Sequence, residues 1–255
     1  MNAVPLKVFI TGASSGIGLA LAEEYVKRGA GLVARRAESL AAFAARFPHA
    51  SISIYPVDVR DHDALADAAR RFIAEQGATD IVIANAGISR GALTGHGDLD
   101  AFRAVMDTNY LAMAATFEPF VASMTAARRG TLVGISSVAG VRGLPGSGAY
   151  SASKSAATKY LESLRVEMRP RGVAVVTIAP GYVRSEMTAH NPYPIPFLMN
   201  ADRFASKAAD AIARRVRYAT FPWQMRIAGM LLHVLPRWLY DALFEKAPRK
   251  PRAGE

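Results

Sequence analysis

The chain contains no cysteine among its 255 residues. This excludes a disulfide framework and a thiolate nucleophile, and it fits a reducing cytoplasm. Five histidines, at positions 49, 62, 96, 190 and 233, are scattered without metal-ligand spacing, so no metal site is expected. No run of eighteen apolar residues occurs, which leaves no candidate for a membrane-spanning helix. Residues 1–7 lack the basic head and long apolar core of a signal peptide, so a cytoplasmic location is expected. Acidic residues are also scarce: 31 Lys and Arg face 21 Asp and Glu, a net charge of +10. From Ala201 onward the ratio is eleven to five. The arginines are dispersed and not interleaved with stacking aromatics, so nucleic acid is not the expected partner.

Apolar runs and helical periods alternate along the chain, which predicts an α/β fold with one parallel sheet. Strands are expected over 7–10, 32–34, 53–57, 81–84, 130–136 and 173–178, with a short seventh over 218–221. Helices are expected over 17–28, 37–46, 61–75, 99–127 and 150–169. Neither a linker nor an internal repeat divides the chain, so residues 1–255 read as a single domain.

The first strand runs into Thr11-Gly12-Ala13-Ser14-Ser15-Gly16-Ile17-Gly18 and then into a helix. Glycines let the backbone approach a phosphate, and a helix N-terminus presents unpaired N–H groups at its positive end. Strand, glycine loop and helix together therefore predict a diphosphate site. Farther along, Tyr150 and Lys154 lie four apart on a predicted helix, with Ser137 thirteen residues before the tyrosine. Four residues is one helical turn, so an ammonium there can favour tyrosinate and suit the phenol to proton transfer.

The loop together with Ser137, Tyr150 and Lys154 resembles the short-chain dehydrogenase/reductase family, in its compact branch of about 250 residues. That resemblance implies a Rossmann-like, doubly wound parallel sheet of about seven strands with helices on both faces. Position by position, it implies that Asp58 and Val59 contact adenine and that Asn85, Ala86 and Gly87 lie beside its ribose. It makes Asn109 the fourth catalytic residue. Pro180 and Gly181 would face the nicotinamide, with Val183 and Ser185 as further cofactor contacts; the family commonly has threonine where this chain has Ser185. Gly12, Ser14, Ser15, Gly16, Ile17 and Gly18 would hold the diphosphate. Spacing to the tyrosine selects Ser137 over its neighbour Ser136, which is a local hydrogen-bonding residue.

The cofactor implied is NADP(H) in preference to NAD(H). Ala34 stands where an acid would bind the NAD ribose, and Arg35 and Arg36 offer charge to a 2′-phosphate. The chain is about two residues shorter there than is usual for the family, a change that keeps the alternation of faces. The implied reaction interconverts a carbonyl and an alcohol by hydride transfer. Ser137 would bind the carbonyl oxygen, and Tyr150 would act as general acid/base. Lys154 would tune the tyrosine and hold the nicotinamide ribose, and Asn109 would hold a water linking Lys154 to solvent.

Substrate walls are expected from Ser89, Arg90, Gly143, Leu144, Pro145 and residues 182–199. That last stretch is rich in Met187, Ile195, Phe197 and Met199, so a lipophilic small molecule is expected. Beyond the last strand, 221–244 reads as two short apolar helices split at Pro236, followed by basic residues 246–252. This extension is expected to pack in a homodimer or homotetramer; peripheral contact with an anionic membrane is the alternative. A cofactor-binding sensor of the same fold with little turnover is the competing function.

Overall fold

The computed structural model describes residues 6–27, 37–189 and 195–252. Five strands are seen among them: β1 (Val8–Ile10), β2 (Ile81–Ala84), β3 (Thr131–Ile135), β4 (Ala174–Pro180) and β5 (Tyr218–Phe221). They pair in that order, every pair parallel. Helices α1 (Gly16–Lys27), α2 (Ala37–Ala45) and α3 (His62–Gln76) precede β2, and α4 (Leu99–Met106) and α5 (Ala112–Ala127) follow it. Then come α6 (Gly148–Met168) before β4, and α7 (Glu186–Ala189) and α8 (Ala201–Ala213) before β5. The chain ends with α9 (Trp223–Val234) and α10 (Arg237–Phe244).

Five strands stand where about seven were expected. The stretch 32–34 lies outside the described residues, and 53–57 carries no ladder although Tyr55 and Val59 are buried. A strand is defined by its partner. A second departure is the long helix expected over 99–127, which is interrupted by a π-helical turn, Asp107–Leu111. Such turns admit one extra residue per turn and re-aim side chains, often at functional sites.

Both faces of the sheet are covered, which is why its strands are apolar throughout instead of alternating. Side chains of successive residues still point to opposite faces. Val8, Ile10, Ile83, Val133 and Val176 meet Leu21 and Tyr25 of α1 and Phe204 of α8. Phe9, Val82, Leu132 and Val175 meet Leu65 and Phe72 of α3, Phe117 and Phe120 of α5, and Leu161 of α6. Gly134 allows the close seat of α6, because a Cβ there would lie 2.3 Å from Leu161 Cδ1.

The C-terminal extension forms two helices split at Pro236, as expected. Its tryptophans do not enter this subunit's core: Trp223 is 64% exposed and Trp238 72%. Among the described residues no helix is long and apolar enough to cross a membrane.

Phe9 anchors the second face, its ring 4.9 Å from that of Phe120 and 5.4 Å from that of Phe72. Phe9→Ala removes a fully buried ring packed between α3 and α5 and is expected to cost about 3–5 kcal/mol in urea unfolding. A loss below about 1 kcal/mol would contradict this packing.

Candidate active site

The loop between β1 and α1 turns through two left-handed glycines, Gly12 at φ +70° and Gly16 at φ +56°. A Cβ on Gly12 would lie 2.8 Å from Ala86 Cα, and one on Gly18 would lie 2.2 Å from Gly12 O. Asn85 Nδ2 donates to Thr11 O at 3.0 Å and to Gly12 O at 3.2 Å. In return Thr11 Oγ1 accepts from the N–H of Asn85 at 3.1 Å and of Ala86 at 3.3 Å. The end of β2 thus fixes the loop against the first turn of α1. The bare backbone and helix N-terminus left facing the cavity suit a diphosphate, which needs close approach and N–H donors.

That loop opens on a cavity of ≈ 780 Å³. Gly12, Ser14, Ser15, Gly16, Ile17 and Gly18 line one end, with Val59, Asn85, Ala86 and Gly87 beside them. Ser137, Tyr150 and Lys154 line it as well, as do Pro180, Gly181, Val183 and Ser185, the last close to Gly16. Two predicted residues stand apart. Asp58 is not on the wall: its carboxylate pairs with Arg60, two residues on, through Nη2 at 2.6 Å and Nε at 3.1 Å. Asn109 is wholly buried behind the wall. Arg35 and Arg36 lie outside the described residues, so the structure says nothing of their contact with a 2′-phosphate.

Tyr150 and Lys154 lie on α6 one turn apart, with Lys154 Nζ 5.9 Å from the tyrosine ring centroid. Lys154 is only 4% exposed, and its ammonium donates to Ile135 O at the end of β3, at 2.8 Å. Burial without a facing carboxylate pulls its pKa down to about 8. Ser137 starts a 3-10 turn, Val138–Gly140, and its Oγ accepts from the N–H of Ala139 at 3.1 Å. The Ser137 hydroxyl hydrogen has no acceptor among the described residues, leaving a donor on the cavity wall. Ser136 Oγ instead donates to Lys154 O at 2.9 Å and lies 2.6 Å from Thr158 Oγ1. These bonds tie the end of β3 to α6.

Asn109 sits in the π-helical turn. Its Oδ1 accepts from Ile88 N at 2.8 Å, and its Nδ2 donates to Ile88 O and to Ser153 Oγ, both at 2.9 Å. Ser153 was not singled out in the sequence, although it follows Tyr150 by three residues and so lies within one turn of it. On the substrate side, Ser89, Arg90, Leu144, Tyr182, Met187 and Pro196 line the cavity as expected. Gly143 and Pro145 are not on its wall, Phe197 and Leu198 are exposed, and Met199 is core. Met225, Leu232, Phe244 and Lys250 complete the wall and were not anticipated. Met225 and Leu232 are seven apart, a spacing that could have shown they share one face of α9; Lys250 had no such signal.

The sequence pattern of the family described as short chain dehydrogenase matches residues 6–193. The chain belongs to the short-chain dehydrogenase family. Like its relatives, this short-chain dehydrogenase is an oxidoreductase. A protein of Myxococcus xanthus named an uncharacterized oxidoreductase is 40% identical over 237 residues, covering 91% of this chain and 94% of its own. A 3-oxoacyl-acyl-carrier-protein reductase of Chlamydia muridarum is 32% identical over 184 residues, covering 70% and 74%. A short-chain dehydrogenase from Streptomyces avermitilis superimposes with a TM-score of 0.81 at 22% identity, over 95% of this chain and 97% of that one. One from Burkholderia cenocepacia, solved in complex with NADP, gives 0.80 at 24%, over 95% and 98%. At such identities these two structures speak for the fold of the short-chain dehydrogenase alone.

Proposed function

We infer that this oxidoreductase interconverts a carbonyl and an alcohol on a lipophilic small molecule, using NADP(H). The observation that carries the reading is the shared cavity. The glycine loop, the Ser137 hydroxyl and Tyr150 all face it, and the Lys154 ammonium is buried beneath.

A bound nicotinamide supplies or accepts the hydride. Ser137 donates its uncommitted hydroxyl hydrogen to the carbonyl oxygen. Tyr150 gives its proton to that oxygen as negative charge develops, and takes it back in the reverse direction. An ammonium 5.9 Å from the ring stabilises the phenolate left behind, all the more because that ammonium sits out of water. Lys154 would also hold the ribose hydroxyls of a bound nicotinamide nucleotide. Asn109 acts by holding Ile88 and, through it, the backbone beside Lys154. The missing Cβ of Gly87 keeps open a space that such an atom would occupy 3.2 Å from Asn109 Oδ1 and 3.5 Å from Lys154 Nζ. A water linking Lys154 to solvent fits there.

The preference for NADP(H) over NAD(H) rests on Ala34, Arg35 and Arg36, and the NADP carried by the Burkholderia cenocepacia structure supports it. Lipophilicity of the substrate rests on Leu144, Met187, Met225, Leu232 and Phe244 on the wall. A sensor without turnover is disfavoured, because Ser137, Tyr150 and Lys154 are all retained in one cavity.

A cytoplasmic enzyme is the reading that the absence of cysteine supports. The outer face of α9 and α10 exposes Trp223, Ile227, Met230, Leu231, Val234 and Trp238, a grouping of large apolar side chains of the kind that marks an interaction surface. A second copy of the chain covers it in a homodimer or homotetramer; an anionic membrane is the other reading. Sedimentation is expected to give an oligomer that falls apart when Trp223 and Trp238 are both changed to Ser. A monomer that binds anionic liposomes instead would hand the face to the membrane.

Tyr150→Phe is expected to lower turnover of apolar ketones and aldehydes by about 10²–10⁴-fold. Affinity for NADPH, titrated on the same protein, should hold and should exceed that for NADH. Wild-type-like turnover in the variant would remove Tyr150 from its role, and equal affinities for the two cofactors would remove the 2′-phosphate preference.

A further inference from the structure

The chain after α10 returns to the substrate end of the cavity and is fastened there. Arg252 pairs with Asp98 through two contacts, Nε to Oδ2 at 2.8 Å and Nη2 to Oδ1 at 2.9 Å. Its Nη2 also donates to His96 O at 2.9 Å. Hydrogen bonding from Arg252 and from the N–H of Leu93 holds the Asp98 carboxyl down at about 2, so the clamp stays ionised through neutral pH. Two glycines make room for the segment. A Cβ on Gly91 would lie 2.1 Å from Pro251 O, and one on Gly146 would lie 2.9 Å from Arg249 Cβ. Gly91 and Arg252 also form a parallel bridge.

What this fastening delivers to the cavity is Lys250. Its Nζ donates to Ser89 Oγ at 2.8 Å, and no carboxylate pairs with it among the described residues. Ser89 directly follows Ile88, the residue that holds Asn109 beside Lys154, so Lys250 stands at the reacting end and not at the diphosphate end. The next residue, Arg90, lines the same wall and makes no hydrogen bond or ion pair among the described residues. Of the other two cations on the wall, Lys154 donates to Ile135 O, and Arg142 is committed to Leu232 O, Leu235 O and the ring of Tyr240. Glu186 of α7 is the one carboxylate on the wall among the described residues. A half-buried ammonium with a single neutral partner is poorly compensated: burial lowers its pKa, and an anion placed against it would gain a charge-assisted hydrogen bond.

We propose that Lys250, with Arg90 beside it, determines specificity by binding an anionic group of the substrate, a carboxylate or a phosphate ester. The apolar part of that substrate lies against Leu144, Met225, Leu232 and Phe244. This rests on the cavity being the carbonyl site proposed above, and it narrows the substrate from any lipophilic carbonyl to an amphipathic anion. The strap that carries Lys250 is held by the Arg252–Asp98 pair and by close packing on Gly91 and Gly146, so the cation is preorganised and little ordering remains to be done on binding.

Octanoate, octyl phosphate and octanol serve as probes, titrated by calorimetry into the protein saturated with NADP⁺. At least one anion should bind about tenfold more tightly than octanol, the factor expected for a hydrogen bond to a charged group. Which of the two anions gains more tells carboxylate from phosphate. Lys250→Met should abolish the preference and leave octanol binding unchanged, and Lys250→Arg should retain most of it. Equal affinity for all three probes in the wild type overturns the proposal, and that comparison stands even if Lys250→Met fails to fold. An equal loss for all three probes in a folded Lys250→Met protein overturns it as well, since it marks a merely structural lysine. Binding is read without turnover, so a failure of the Tyr150 assignment would show in its own assay and leave this comparison intact.

Discussion

The arrangement of the site depends on one buried ammonium. Lys154 is held below the cavity wall with Ile135 O at 2.8 Å as its hydrogen-bond acceptor. To bring that carbonyl and that ammonium together, α6 must lie close on the end of β3. Gly134 and Gly140 permit it: a Cβ on the first would strike Leu161, and one on the second would lie 2.8 Å from Lys154 C. Ser136 adds a hydrogen bond from the strand end to Lys154 O. The same closeness sets Ser137 and Tyr150 on one wall. Burial disfavours the charged lysine, so its folded pKa, about 8, lies below the 10.5 of the free side chain. Between those values the unfolded chain binds more protons, and this group's contribution to stability rises with pH; below about 8 its full penalty is present. Positioning the Tyr150 hydroxyl beside a cation thus takes place against the stability of the fold.

Around that centre the cavity has two ends of different origin. The diphosphate end is made from consecutive residues, the loop from Gly12 to Gly18, pinned by Asn85. The substrate end is assembled from segments far apart in the chain. Arg142 donates to the last carbonyls of α9 at Leu232 and Leu235, Tyr240 donates to Gly143 O, and Gly181 lets Met225 pack against the end of β4. The family pattern matches residues 6–193, so α9, α10 and the strap lie beyond it. The share of the wall made by Met225, Leu232, Phe244 and Lys250 therefore comes from the part of the chain that the family pattern does not describe.

This division also explains what the sequence could disclose. Glycine spacing and the Tyr150–Lys154 interval are local, and local geometry follows directly from helical periodicity. The buried strands were legible as short apolar runs, and Pro236 marked the break between α9 and α10. The stretch 53–57 had the composition of a strand, but pairing is a property of a neighbour, not of a run of residues. Asp58 was assigned to adenine by resemblance, and its ion pair with Arg60, two residues on, is a contact that the resemblance did not disclose. The π-helical turn that carries Asn109 leaves no mark in a pattern of period 3.6. Lys250 meets Ser89 across 161 residues and Arg252 meets Asp98 across 154, separations at which periodicity is silent.

The central claim is that Lys154 is a desolvated ammonium tuned into the physiological range, and it can be measured on the side chain itself. In protein labelled with ¹⁵N-lysine, the Nζ resonance assigned through a Lys154→Arg variant should titrate with a midpoint near 8. The solvent-exposed lysines serve as internal references near their ordinary value of about 10.4. A Lys154 midpoint at that ordinary value would mean that the ammonium is solvated, and it would contradict the burial on which the site depends.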